Sequence, residues 1–140
     1  IKLAKEHNLP AVIHVRDSFH EAIEIVERLN DDNLSGVFHC FTGNLEEAER
    51  VINLKNFYLG IGGVVTFKNG GINKIINQVS LDSIILETDS PYLSPTPFRG
   101  TRNESKYLLN IATKMADLYN LDIEEIAKKT TENAIDLFHL

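Results

Sequence analysis

The chain has a single cysteine, Cys40, among 140 residues. No disulfide can therefore close within it, and its cysteine usage points to no oxidising compartment. A cytoplasmic location is the expectation. Basic residues are also in deficit: 14 Lys and Arg stand against 20 Asp and Glu, for a formal net charge of −6. That balance argues against a protein gripping nucleic acid by a broad basic surface, because such binding rests on Lys and Arg neutralising phosphates. It leaves room for a nuclease that meets phosphate through bound divalent cations, whose positive charge is matched by the carboxylates that hold them. No apolar run approaches the roughly 18 to 20 residues that cross a bilayer, so no membrane partner is expected. A G-x-G-x-x-G loop between strand and helix is missing, which removes the commonest reason to prefer a nucleotide-binding sheet. Neither a fixed-period repeat nor a low-complexity stretch is present. The chain lacks an initiating Met, and Ile1 to His7 already reads as helix running through Asn8 and Pro10 into a strand. The expectation is a fragment that begins inside a larger domain.

What is present is the composition of a soluble globular domain, 43% hydrophobic and 24% charged. From Ala11 one phrase recurs four times: a short apolar or β-branched run, a polar residue at its end, then an amphipathic segment. The first strand is Ala11 to Val15. Its helix opens on the capping-box pattern of Ser18 with Glu21 and carries Ala22, Ile23, Ile25, Val26 and Leu29 on a broad face. The second strand, Gly36 to His39, leads to a helix that starts at Asn44 with Glu47 three residues on. The third, Phe57 to Ile61, passes through Gly62-Gly63 into a helix predicted from Ile72, Ile75, Ile76 and Val79. The fourth, Ile84 to Glu87, ends at Thr88-Asp89. A Pro-rich loop follows from Ser90 to Arg102, longer than the usual βα connection of roughly 2 to 6 residues and so a candidate for function. Asn103 is read as capping a long helix, and two short helices, capped by Asp122 with Glu125 and by Thr131, are expected to close the chain. Short apolar strands alternating with helices indicate an α/β fold with parallel strands, either an open doubly wound sheet or a (β/α)8 barrel.

In both architectures catalytic groups gather at the C-terminal ends of the strands, and there the sequence places His14, His39 and Asp89. Two imidazoles and a carboxylate suit a borderline divalent cation, with nitrogen donors for affinity and an anionic oxygen able to orient a bound water. Repetition at equivalent positions of successive units favours a metal site over isolated structural histidines. His7, His20 and His139 are read as solvated or capping groups. Glu87 shares a face with Asp89 by the two-residue strand period and is either a group that positions a ligand or one half of a structural salt bridge. Arg16 is expected to point with His14, towards a phosphate or towards Asp17 or Glu87. Arg99 and Arg102 are the basic pair near the mouth, for a phosphate or for a carboxylate such as Glu104. Cys40, next to His39, is expected on the opposite strand face as a buried core thiol. Gly62-Gly63 serves either close approach to a ligand or a turn.

Several strings read together carry a family likeness: Ile13-His14-Val15-Arg16-Asp17, Phe38-His39-Cys40-Phe41-Thr42-Gly43, Glu87-Thr88-Asp89-Ser90-Pro91-Tyr92-Leu93, Arg99-Gly100-Thr101-Arg102-Asn103-Glu104 and Thr130-Thr131-Glu132-Asn133-Ala134. The chain resembles the TatD family of metal-dependent deoxyribonucleases over its whole length. The resemblance implies a TIM barrel of which residues 1–140 supply about strands 5 to 8 and the closing helices, the C-terminal half of a single domain. It implies a binuclear site for two divalent cations, Mg²⁺, Mn²⁺ or Zn²⁺. In it His14 and His39 ligate one metal, while Asp89 ligates the other and accepts the proton of the attacking water. The family's His-x-His pair and bridging Glu fall upstream of Ile1, and a barrel needs roughly 250 residues, so the chain taken alone is expected to be nearly inactive. The implied activity of the intact protein is hydrolysis of DNA phosphodiesters, of the 3′–5′ exonuclease type on single-stranded ends. Amidohydrolase or esterase chemistry, including deacylation of aminoacyl-tRNA, and an inactive fragment or adaptor are the alternatives. A half barrel leaves apolar edges, so pairing with another copy or with the missing N-terminal half is expected.

Overall fold

The computed structural model describes residues 1–140. Helix α1 (Lys2–His7) leads to strand β1 (Ala11–His14), then helix α2 (Phe19–Leu29), strand β2 (Gly36–His39), helix α3 (Leu45–Ile52), strand β3 (Phe57–Ile61), strand β4 (Ile84–Leu86), helix α4 (Leu108–Tyr119) and helix α5 (Ile123–Phe138). The four strands form one parallel sheet in the order β1-β2-β3-β4. The predicted strands are all present, β1 and β4 each one residue shorter than expected. Sequential neighbours pair throughout, as short right-handed crossovers favour.

Alternation along each strand divides the side chains between two faces. Ile13, Phe38, Leu59 and Ile84 point into the main core, where α2, α3 and α4 contribute Ile23, Val26, Val51, Ile111 and Met115. On the other face Val37 and Ile85 pack against Leu137 of α5. That cover is partial: Val12 of the edge strand β1 is 61% exposed.

Four local expectations are corrected. The segment from Ile72 to Val79 is not an α-helix but two 3₁₀ turns, Ile72–Lys74 and Ile76–Gln78. Ile72, Ile76 and Val79 are buried as their spacing requires, but Ile75 at φ −122° interrupts the helix and Val79 is extended. The Tyr119 hydroxyl reaches in to the carbonyls of Ile76 and Val79 at the end of the second turn. The close of the chain is one helix, not two. Thr131 lies inside α5, and the neighbouring Thr130 hydroxyl donates to the Ile126 carbonyl at 2.9 Å within it.

Asn103 does not cap α4, which begins at Leu108 after a 3₁₀ turn, Ser105–Tyr107. At α2, Ser18 occupies the N-cap position without accepting a cap hydrogen bond, and its hydroxyl turns back to the Arg16 carbonyl. At α3 the capping box forms in full: Asn44 accepts from the Glu47 amide at 3.0 Å and Glu47 from the Asn44 amide at 2.8 Å.

The two caps therefore differ in energy despite similar sequence signatures. Asn44→Ala is expected to lower unfolding stability by about 1 kcal/mol, whereas Ser18→Ala stays within about 0.5 kcal/mol of wild type. Urea denaturation of both variants measures the difference, and equal losses would contradict it.

Candidate metal centre

The register of the sheet brings the two strand-end histidines together. His14 of β1 pairs directly with His39 of β2, and neighbouring strands lie about 4.8 Å apart. Their rings, on the same face, have centroids 5.7 Å apart. No residue of the intervening helix takes part; parallel pairing alone produces the juxtaposition.

Glu87 follows β4, two strands away from His39, yet its carboxylate lies 2.9 Å from His39 Nδ1 and also accepts the Cys40 amide. It reaches there by crossing β3 at Gly60, where a Cβ would stand 2.8 Å from Glu87 Oε2. Glycine inside a strand marks such a close approach. Glu87 thus holds His39 in place, and no Lys or Arg bridges the carboxylate.

The other imidazole nitrogen, His39 Nε2, is 3.3 Å from Asp89 Oδ1. His39 thus has a carboxylate oxygen at each ring nitrogen. A ring nitrogen and a carboxylate oxygen at that separation are bridged by a proton or a cation. The nitrogen and oxygen donors suit a borderline divalent cation. The resemblance assigns His39 and Asp89 to adjacent ions of a pair; the structure places them as near neighbours. No three His, Cys, Asp or Glu side chains are arranged as a finished cage.

Asp89 is not a strand residue. It has φ 56° in the turn after β4, so it faces His39 through loop geometry and not through the strand period. Cys40 corrects the sequence reading: β2 ends at His39, Cys40 has φ 48°, and it is half-buried in the wall of a cleft of about 400 Å³ shared with His14, Arg16, Asp89, Tyr92 and Val64. Burial, then the carboxylates of Glu87 and Asp89, push its thiol up to about 11, so it is protonated and a poor nucleophile at neutral pH.

The arginines divide. Arg16 lines the cleft with an exposed side chain, 3.8 Å from the equally exposed Asp17 and not bonded to Glu87. Arg99 lies over the Phe67 ring, 3.7 Å from its centroid, and donates to the Ser94 carbonyl, fastening the long loop to the turn after β3. Arg102 is exposed near Glu104. Gly63 packs against the same loop, since a Cβ there would collide with the Leu93 carbonyl; its role is chain packing.

Three residues escaped the sequence reading. Gly60 is signalled only by being a glycine within a strand. Tyr92 carries a ring 70% exposed at the cleft rim. Asn103 is 1% exposed and bonds the loop around Asp89.

Comparison with known proteins identifies the family of the chain. The sequence model described as TatD related DNase matches residues 1–139. The uncharacterized metal-dependent hydrolase YabD of Bacillus subtilis is 44% identical across 100% of this chain and 55% of its own length. The corresponding hydrolase YcfH of Escherichia coli K12 is 37% identical over 100% of this chain and 53% of its own. The chain thus spans about half the length of the curated relatives it matches. The crystal structure of YJJV, a TatD homologue from Escherichia coli K12, superposes with a TM-score of 0.92 at 28% identity, covering 99% of this chain and 53% of that one. With the family matched along nearly its whole length, this chain belongs to the TatD related DNase family of metal-dependent hydrolases.

Proposed function

We propose that the intact protein is a deoxyribonuclease of the 3′–5′ exonuclease type that hydrolyses phosphodiesters at single-stranded DNA ends with two divalent cations. The observation that carries this reading is His39, held by Glu87 at Nδ1 with Nε2 turned to Asp89 and His14 alongside. A carboxylate on the far nitrogen of an imidazole is the support that metal-ligating histidines receive.

In this reading His14 and His39 hold one cation and Asp89 the other, and the cations supply Lewis-acid polarisation of the phosphodiester and activation of a water. Asp89 accepts that water's proton. Arg16, at the cleft wall, offers a planar fork of donors to a phosphate oxygen. Tyr92 presents an exposed ring on which an unpaired base stacks. Arg102 stays free for a neighbouring phosphate, while Arg99, engaged with Phe67, serves by fixing the loop.

The remaining ligands lie in the part of the protein for which this chain's match, about half the length of its relatives, leaves room. That part completes the barrel in this proposal. Both β1 and β4 have a free edge, and beside β4 an apolar groove runs along Leu86, Leu108, Leu109, Ala134, Ile135 and Leu140. Open edges and contiguous apolar surface call for a partner, and the complementary β/α half is the occupant proposed for them.

Three outcomes are expected. In the intact protein His39→Ala and Asp89→Asn lower Mn²⁺-dependent cleavage of a single-stranded oligonucleotide on the order of a hundredfold, and residues 1–140 alone cleave it negligibly; wild-type rates in either variant, or turnover of amides or esters in place of DNA, would overturn the assignment. Tyr92→Ala raises KM for the oligonucleotide about tenfold with a smaller change in kcat, as loss of a stacking platform of about 1 to 3 kcal/mol predicts; an unchanged KM counts against base stacking. Residues 1–140 alone associate in light scattering, and a uniform species of 15.8 kDa would contradict an edge that needs covering.

A further inference from the structure

Asp89 stands beyond the end of β4, so the sheet does not hold it. Its φ of 56° lies in the left-handed region, which a side-chain-bearing residue keeps only when its surroundings impose it. The imposing group is in the chain segment that returns past it. Asn103 Nδ2 donates to the Thr88 and Tyr92 carbonyls, on either side of Asp89-Ser90-Pro91, and the Asn103 amide donates to the Pro91 carbonyl at 3.1 Å. Between these anchors the Tyr92 amide donates to the Asp89 carbonyl at 2.8 Å, closing the turn.

We propose that Asn103 is the positioning residue for Asp89, a clamp that sets the turn in which the carboxylate faces His39 Nε2. The carboxamide suits the task because its two Nδ2 protons diverge and each meets one carbonyl, while Oδ1 accepts the Glu104 amide. An aspartate has the shape without the donors; a serine has one donor on a shorter arm. Released from the clamp, Asp89 relaxes towards an ordinary backbone conformation and its carboxylate leaves His39.

The structure contains its own control. Asn133 is also buried and also divides Nδ2 between two carbonyls, those of Leu81 and Ile84, both at 2.8 Å, at the opposite end of β4. Removing its donors costs comparable hydrogen bonding without touching the turn at Asp89.

The test uses the intact protein. The first measurement is the ¹⁵N resonances of the His39 imidazole without metal, all variants at one pH. Asn103→Ser is expected to shift them towards the values in Asp89→Asn, and Asn133→Ser to leave them at wild-type positions despite a lowered Tm. Asn103→Asp should behave as Asn103→Ser does; if it fails to fold, Asn103→Ser decides. The second measurement, which rests on the metal-centre reading above, is the Kd for Mn²⁺ alone, expected to rise about tenfold or more in the Asn103 variants and to stay within about twofold in Asn133→Ser. Wild-type His39 resonances in Asn103→Ser, with those of Asp89→Asn displaced, overturn the clamp. Mn²⁺ binding that survives Asp89→Asn unchanged instead overturns the metal centre, and the ¹⁵N comparison still decides the clamp.

Discussion

Glu87 reaches from beyond one edge strand to a histidine on the strand after next, and the side-chain-bearing face of the site is organised by that reach. The carboxylate passes over β3 only because Gly60 leaves the space empty, and at its far end it meets His39 Nδ1 and accepts the Cys40 amide. One carboxylate therefore orients the imidazole and ties the end of β2 to the end of β4. His14 comes alongside through register, without needing a contact of its own.

The charge balance around this group differs from that elsewhere on the molecule. Glu27 meets Arg50, Asp82 meets Lys129 and Asp31 meets Lys5, and in each case the cationic partner's hydrogen bond holds the carboxyl below its usual range. At the cleft, Glu87 and Asp89 have an imidazole between them and no Lys or Arg bonded to either; Arg16 faces water and Arg99 faces Phe67. The raised Cys40 thiol registers its burial first and the same two carboxylates second. A half-buried site of this sign has the electrostatics that favour a cation, in keeping with the metal-dependent hydrolases of the family.

Legibility followed the range of the forces involved. The strands were readable because burial on a pleated sheet imposes a local pattern, and the Asn44 to Glu47 cap because both partners lie within one turn. Ile72 to Val79 misled because apolar residues three and four apart suit 3₁₀ turns as well as an α-helix, and Tyr119, some forty residues away, joins the outcome. Cys40 misled because alternation holds only while the strand lasts, and β2 stops one residue earlier. Thr131 resembled a cap because its neighbour's hydroxyl has two uses, at a helix start or back-bonded inside one, and sequence spacing does not separate them.

The sequence by itself determined the alternation of strand and helix, the presence of two histidines at strand ends and an aspartate beyond another, and through its strings the family. Those are properties of periodicity and residue type. Only the tertiary structure decided that Glu87 lies across Gly60 to His39, that Asp89 faces His39 from a left-handed turn, and that Asn103 serves this turn and not the helix after it. Each of these joins residues on different segments by hydrogen bonds whose geometry is set by sheet register and loop path, and neither is encoded in the spacing of a single segment.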